Sequence, residues 1–357
     1  MNNPLRSLRE LGQSVWLDDI RRDLLTGGGL ARLVAEDGLA GVTSNPSIFE
    51  KAIAGSELYE GRIRELLAAD PGLSTAGLYE ALVVEDIRAA ADVLRPVWEE
   101  TGGEDGFVSL EVSPHLARET RGTVAEAHRL WGLVDRPNLM IKVPATPEGI
   151  PAIEELIAAG INVNVTLIFS LAHYEAAAGA FRRGAERGDG HAASVASLFV
   201  SRLDTAVDRL LEGLGAPEAL ALRGRAAVAN ARTAYGRFLE LFPGGGPVQR
   251  PLWASTSTKN PAYSDIKYVE ELVAPRTVNT LPRATLEAFR DHGSARVTVT
   301  PESIAGAREE LERLAGLGID LDRVTRELQE AGVRAFAEAF DRLFATLDRR
   351  RRAVTGG

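Results

Sequence analysis

Leu139-Met140-Ile141-Lys142-Val143-Pro144 is the stretch on which the architecture of this chain turns. A run this short and this apolar reads as a buried parallel strand, covered by helices on its outer side. One residue interrupts it. Lys142 puts an amine into the strand, and burying an ammonium costs several kcal/mol unless it is paired or gives up its proton. A lysine pushed toward the neutral amine is the nucleophile that forms Schiff bases with ketones. The competing account, a strand-end lysine snorkelling its head into solvent, fits the run equally well when it is taken alone.

Similar runs flank it at 14–18, 40–43, 107–112, 161–166, 194–200, 251–255 and 276–279, with helix-length intervals between them. Together they make roughly eight strands, the count of an α/β fold of the (β/α)8 TIM-barrel type. An open doubly wound sheet would need a Gly-rich fingerprint after its first strand. Gly27-Gly28-Gly29 comes too late for that and reads as a turn before the helix carrying Leu30 and Leu33. The long interval 55–106 includes a helix over 77–100 with Leu78, Leu82, Ile87, Ala91 and Leu94 on one face; it either covers the site or makes a subunit contact. From Pro301 onward the chain is helical. Val324, Leu328, Phe336, Phe340, Leu343, Phe344 and Leu347 form a stripe expected to pack against the barrel wall. Gly244-Gly245-Gly246 between Pro243 and Pro247 is a loop leading into the seventh strand. The arginine run 349–352 is expected to be a solvated helix end, where cations suit the macrodipole. Length alone suggests about two domains. No repeat, linker or low-complexity segment divides the chain, so 1–357 reads as a single barrel domain with additional N-terminal, inserted and C-terminal helices.

Composition narrows the function. With 45% hydrophobic and 25% charged residues the chain is neither disordered nor membrane-embedded in character. A net charge of -9 argues against general nucleic-acid binding, while leaving room for a phosphorylated ligand held by a few local cations. The absence of cysteine removes disulfides, thiolate catalysis and thiolate metal sites. The start of the chain is polar and helix-like rather than a signal peptide, no run reaches transmembrane length, and the cytoplasm is the expected location. His115, His128, His173, His191 and His292 lack metal-ligand spacing.

Catalytic groups of a barrel gather at the C-terminal strand ends, and polar residues recur there. Asp18 closes the first run. Thr43 and Asn45 follow the second, Glu111 ends the third, and Lys142 lies in the fourth. Asn164 and Thr166 belong to the fifth, Ser197 and Arg202 to the sixth and its exit, and Ser255 and Lys259 leave the seventh. Each admits a plainer account. Asp18 or Asp19 fits a helix cap, as do Thr166 and Ser170; Thr43 and Asn45 before Pro46 fit a turn; Arg202 and Asp204 fit a surface pair. Glu111 resists one, because a carboxylate ending an apolar strand needs a partner. Their joint position at one end of successive strands is not what unrelated caps and surface charges produce.

Three segments resemble transaldolase, in that family's order and over nearly the whole barrel. They are Val42-Thr43-Ser44-Asn45-Pro46-Ser47, the run from Leu139 through Lys142-Val143-Pro144-Ala145-Thr146-Pro147-Glu148-Gly149-Ile150, and Ile161-Asn162-Val163-Asn164-Val165-Thr166-Leu167-Ile168-Phe169-Ser170. Trp253-Ala254-Ser255-Thr256, Lys259-Asn260-Pro261 and Tyr268-Val269-Glu270-Glu271-Leu272 look like the actinobacterial-type branch, which also occurs fused to a sugar-phosphate isomerase; no isomerase segment lies within these residues.

The resemblance implies transfer of a dihydroxyacetone unit from sedoheptulose 7-phosphate to glyceraldehyde 3-phosphate, giving erythrose 4-phosphate and fructose 6-phosphate in the non-oxidative pentose phosphate pathway. It makes Lys142 the Schiff-base residue, Glu111 the acid/base acting through a water that Thr166 holds, and Asp18 the proton acceptor at the breaking bond. Thr43, Asn45, Asn164, Ser197, Phe199, Arg202, Ser255 and Lys259 become substrate contacts. No metal or organic cofactor is implied, because the imine is the electron sink. The partners implied are sugar phosphates, not nucleic acid or membrane, with monomer and homodimer both open. The chain departs from the family at the phosphate end. Where many members carry Ser-Phe-Arg-Asn, it has Ser255-Thr256-Ser257-Thr258-Lys259-Asn260, so Lys259 stands for an arginine after a small insertion. A lysine meets phosphate as a point charge rather than a bidentate fork. The rivals are a fructose 6-phosphate aldolase-like lyase, whose members are shorter and lack an equivalent of Glu111, and a non-catalytic sugar-phosphate-binding barrel.

Overall fold

The computed structural model describes residues 3–355. Eight parallel strands close into a barrel in sequence order: β1 (Gln13–Leu17), β2 (Gly41–Val42), β3 (Phe107–Glu111), β4 (Leu139–Pro144), β5 (Val163–Ile168), β6 (Ser194–Phe199), β7 (Gln249–Ala254) and β8 (Thr277–Leu281). β8 pairs with β1 from Gln13↔Thr277 to Leu17↔Leu281, which completes the ring. Helices follow the strands and bury their apolar faces on the ring. The long one, Thr75–Glu100, buries Leu78, Leu82, Ile87, Ala91 and Leu94 as its sequence spacing required. Among the described residues no helix is long and apolar enough to cross a membrane.

The barrel interior is packed, not hollow. Trp16 of β1 is fully buried opposite Gly41 of β2, where a Cβ would lie 2.4 Å from the indole, so only glycine fits. Below it the N-terminal end is plugged by polar groups: Trp16 Nε1 donates to Asp105 at 2.7 Å, and Arg250 reaches Ser14 at 3.0 Å.

Strand ends differ from the apolar runs where the backbone turns left-handed. Arg276 (φ 59) and Ser255 (φ 55) cannot continue a strand, so β8 starts after the one and β7 stops before the other. β5 begins at Val163 because the Asn162 side chain takes over the neighbouring backbone groups, donating to Pro137 and Leu139 and accepting from Ala193. It continues past Thr166 through a register shift between Val165 and Ile168, with Leu167 at φ 58.

Two expectations about the tail need correction. The terminal helix Leu321–Thr355 does not simply lie on the barrel wall; it packs Phe340 and Phe344 on Tyr79 of the helix Thr75–Glu100 and crosses the mouth at the C-terminal strand ends. Gln329 bonds the carbonyls of Ala145 and Leu167 beyond β4 and within β5, Phe336 faces Lys142, and Arg342 pairs with Glu50. The arginine run is not simply a solvated end either. Arg350 pairs with Glu60 at 3.1 Å and donates to the carbonyls of Ile53, Ala54 and Ser56, strapping the segment after β2.

Candidate active site

β4 sets the site, because its alternation turns Lys142 into the barrel. Its register partners are Glu111 on β3 and Asn164 on β5. The Lys142 side chain is 5% exposed, so the solvent-snorkelling account fails. Nζ donates to the Ser44 carbonyl at 3.1 Å and stands 3.8 Å from Glu111 Oε2, with the Phe336 ring centroid 5.9 Å away. A structural N⁺–H···O⁻ pair closes to about 2.7–2.9 Å. At 3.8 Å the amine is steered by Glu111 without being locked to it.

The two carboxylates have different surroundings. Glu111 is walled in by protein and backs onto an apolar cavity of about 200 Å³ lined by Tyr79, Val83, Leu110, Phe340 and Phe344. Burial pushes its carboxyl up to about 7, against the pull of Lys142, and the Asp18 charge adds to the rise. Its Oε2 and the Thr166 hydroxyl are both buried with no hydrogen-bond partner among the described residues. Asp18 follows β1 and accepts from Thr43 Oγ1 at 2.7 Å; Thr43 in turn meets Thr280 at 2.7 Å. Burial raises Asp18 too, but Lys142, the Thr43 bond, Arg202 and Lys51 all oppose the rise. Asp18 caps no helix: the next one, Arg22–Thr26, begins at Arg21 with no side-chain cap.

Asn164 is oriented on both sides, donating to Ser109 Oγ at 2.9 Å and accepting from Ser197 Oγ at 2.7 Å. Asn45 serves two ends: Oδ1 caps the helix Pro46–Phe49 by accepting from Ile48, which leaves the amide nitrogen for the mouth. Ser170 is the cap of Leu171–Arg187, whereas Thr166 is a strand residue.

Arg202 forms no pair with Asp204, which instead accepts from the Ala227 amide and the Tyr268 hydroxyl. The guanidinium lies over Phe199, 5.2 Å from the ring centroid, and no carboxylate pairs with it among the described residues. Ser255 meets Ser201 at 3.0 Å, and Lys259 donates to Ser257 at 2.7 Å. Burial first, then the charges of Arg202 and Lys51, push the Lys259 amine below its ordinary value. A buried amine that feels two further cations and has no carboxylate partner is suited to meeting an anion.

Lys51, Phe336 and Gln329 are the residues the sequence did not assign to the site. Lys51 sits on a π-helical turn, Glu50–Ala54, directly after the Asn45-capped helix, and has no hydrogen-bond or ion-pair partner among the described residues. Composition held a signal for it. Only four of the 41 basic side chains are lysines, at 51, 142, 259 and 267, and three of them gather at this mouth. In a chain that uses arginine nearly everywhere, a lysine marks a place where a compact charge or an amine is wanted. Among the described residues no cluster of His, Asp and Glu is arranged to hold a metal ion.

An amine so placed is suited to carbonyl chemistry, and a closed (β/α)8 barrel built around one belongs structurally with the aldol-type barrel enzymes. The comparison with known proteins narrows that class. The family model described as Transaldolase/Fructose-6-phosphate aldolase matches residues 15–347, and the chain belongs to that family. Transaldolases of Frankia alni and Thiobacillus denitrificans are each 49% identical to it, the first over 97% of both chains and the second over 97% of this chain and 99% of its own. That of Acidothermus cellulolyticus is 50% identical over 98% of this chain and 97% of its own.

Proposed function

We propose that the protein is a transaldolase, moving a dihydroxyacetone unit from sedoheptulose 7-phosphate to glyceraldehyde 3-phosphate while holding that unit as an imine on Lys142. The observation that carries this is the buried amine standing 3.8 Å from a carboxyl whose burial lifts it to about 7. Lys142 Nζ adds to the ketose carbonyl carbon. Protonated Glu111, through a water shared with Thr166, hands a proton to the carbinolamine hydroxyl, which leaves as water. The resulting iminium draws the electron pair of the carbon–carbon bond as that bond breaks. Asp18 takes the proton from the adjacent hydroxyl, and erythrose 4-phosphate departs. The bound enamine then attacks glyceraldehyde 3-phosphate, Asp18 returns the proton, and hydrolysis through Glu111 releases fructose 6-phosphate. Two carboxylates with unlike environments thus take unlike proton duties. Asn45, Asn164 and Ser197 hold the hydroxyls of the retained unit, and that retention separates transfer from simple cleavage. We place the reaction in the cytoplasm, where its charged substrates are confined.

Borohydride trapping with fructose 6-phosphate, followed by peptide mass spectrometry, tests this directly. A reduced three-carbon adduct on the Lys142 peptide is expected. A folded sample that yields no adduct would overturn the mechanism and leave a sugar-phosphate binder.

Arg202, Lys259 and Lys51 form the phosphate end of the site, with Ser255 and Phe199 shaping it. A bond from a charged donor to phosphate is worth about 1.5–3 kcal/mol. Arg202→Ala should therefore raise KM for fructose 6-phosphate about 10- to 100-fold while barely changing that for unphosphorylated fructose. Lys51 is more exposed, and Lys51→Ala should cost no more than about fivefold, with the same selectivity for the phosphorylated sugar. Equal shifts for the two sugars would remove these residues from the phosphate site.

A further inference from the structure

We infer that Gln329, on the terminal helix, is a positioning residue for imine formation: its side-chain amide ties the end of β4 to the end of β5 and so fixes where Thr166 and Lys142 stand. The inference rests on the Schiff-base reading above. Gln329 is 8% exposed, and its Nε2 donates to the carbonyls of Ala145 at 2.9 Å and Leu167 at 3.0 Å. Both acceptors are carbonyl oxygens, so the amide's NH2 end must face them, and both of its protons are engaged. Ala145 lies just past β4, shortly beyond Lys142, and Leu167 directly follows Thr166. The same two strand ends are joined by a bond from the Ala145 amide to the Thr166 carbonyl at 2.8 Å.

Leu167 is the strained point. Its φ of 58 is left-handed for a bulky side chain, at the place where the β5–β6 register shifts. Such a conformation persists only where its surroundings over-determine it. The Gln329 bond to its carbonyl supplies that constraint, and Gly332, farther along the same helix, lets the helix close on it: a Cβ there would lie 2.8 Å from Leu167 Cδ2. The Thr166 hydroxyl has no hydrogen-bond partner among the described residues, so no such bond corrects its aim when the backbone that carries it shifts. Whatever holds Leu167 in its left-handed turn therefore aims Thr166. A catalytic group misplaced by about 1 Å loses on the order of 100-fold in rate.

Gln329→Met keeps the volume and removes both donors. In rapid-quench borohydride trapping with fructose 6-phosphate, its adduct should form about 10- to 100-fold more slowly than wild type, with kcat falling in step and KM within about twofold. Gln329→Glu, which sets a carboxylate against two carbonyls, should be slower still. Gly332→Ala pushes the same turn by a different contact and should slow the same step, so it reads the inference if Gln329→Met fails to fold. Trapping at the wild-type rate in the Met variant, even with a lowered Tm, would reduce Gln329 to a helix-docking bond and overturn the inference. Wild type forming no adduct would be a separate result, overturning the Schiff-base reading and this inference with it.

Discussion

Lys142→Ala is expected to fold and to lose transfer altogether, by on the order of 10⁴- to 10⁶-fold, the scale on which removal of an enzyme nucleophile is felt. No neighbouring group can take over. Among the other lysines, Lys51 and Lys259 stand at the end we propose for phosphate, and Lys267 is paired with Glu271, the residue that caps its own helix. Folding should survive because the amine is only lightly held: one bond to the Ser44 carbonyl and one steering carboxylate at 3.8 Å. Losing that charged bond costs about 1.5–3 kcal/mol, offset in part because an amine no longer has to be buried. The substitution also removes the charge that pulls Glu111 down, so its carboxyl should hold its proton to higher pH than in wild type. Steady-state assays, trapping with mass spectrometry and thermal melts check the three expectations together. Turnover near wild type, or an adduct on the peptide carrying Lys51, Lys259 or Lys267, would remove Lys142 from the mechanism.

Much of this architecture could be read from the chain because a buried parallel strand has few ways to be written. An apolar run ending in a polar residue recurs around the barrel, and strand ends are where barrel sites collect, so Asp18, Glu111, Lys142 and Asn164 stood out as candidates. What could not be read depended on contacts distant in sequence. Leu167, Ser255 and Arg276 turn left-handed although nothing in Leu, Ser or Arg favours it. The Leu167 carbonyl is bonded by Gln329, on a helix that begins long after β5 has ended. The apolar stripe of the terminal helix was plain from its period, but periodicity says only that one face is buried. It does not say whether that face meets the outer helices or the strand ends, and here it meets both: Phe336 faces Lys142, while Phe340 and Phe344 pack on Tyr79 of the helix Thr75–Glu100. Lys51 was hidden for the opposite reason: the charged residues Glu50-Lys51 after the apolar Ile48-Phe49 look like ordinary surface until the turn bearing them is strapped down by Arg342 and Arg350.

Glu111→Gln should show both what this carboxyl does and what its burial costs. Glutamine keeps the shape but cannot deliver or accept the proton, and general acid–base contributions are typically about 10²- to 10⁴-fold. The loss should fall on imine formation and hydrolysis more than on carbon–carbon cleavage, where Asp18 moves the proton. In wild type the acid form is depleted as pH rises through about 7, so imine formation should decline there. That limb should vanish in the Gln variant, and its persistence would take Glu111 out of the role. Stability should move the other way. The folded-state value of about 7 lies above the ordinary 4.5, so folding favours the protonated carboxyl. That contribution is complete below pH 4.5 and is lost as pH rises through about 7. At about 1.4 kcal/mol for each unit, ionised Glu111 costs the fold up to about 3 kcal/mol. Glutamine never ionises, so the variant should match wild type in denaturant melts at acid pH and exceed it by up to that amount well above 7. A slower enzyme that is also more stable only on the alkaline side would identify Glu111 as a group kept in an unfavourable place for its chemistry, the usual exchange between stability and activity. Equal stability across the pH range would mean that the carboxyl is better solvated than its apolar surroundings imply, and would remove the reason for assigning it the acid's part.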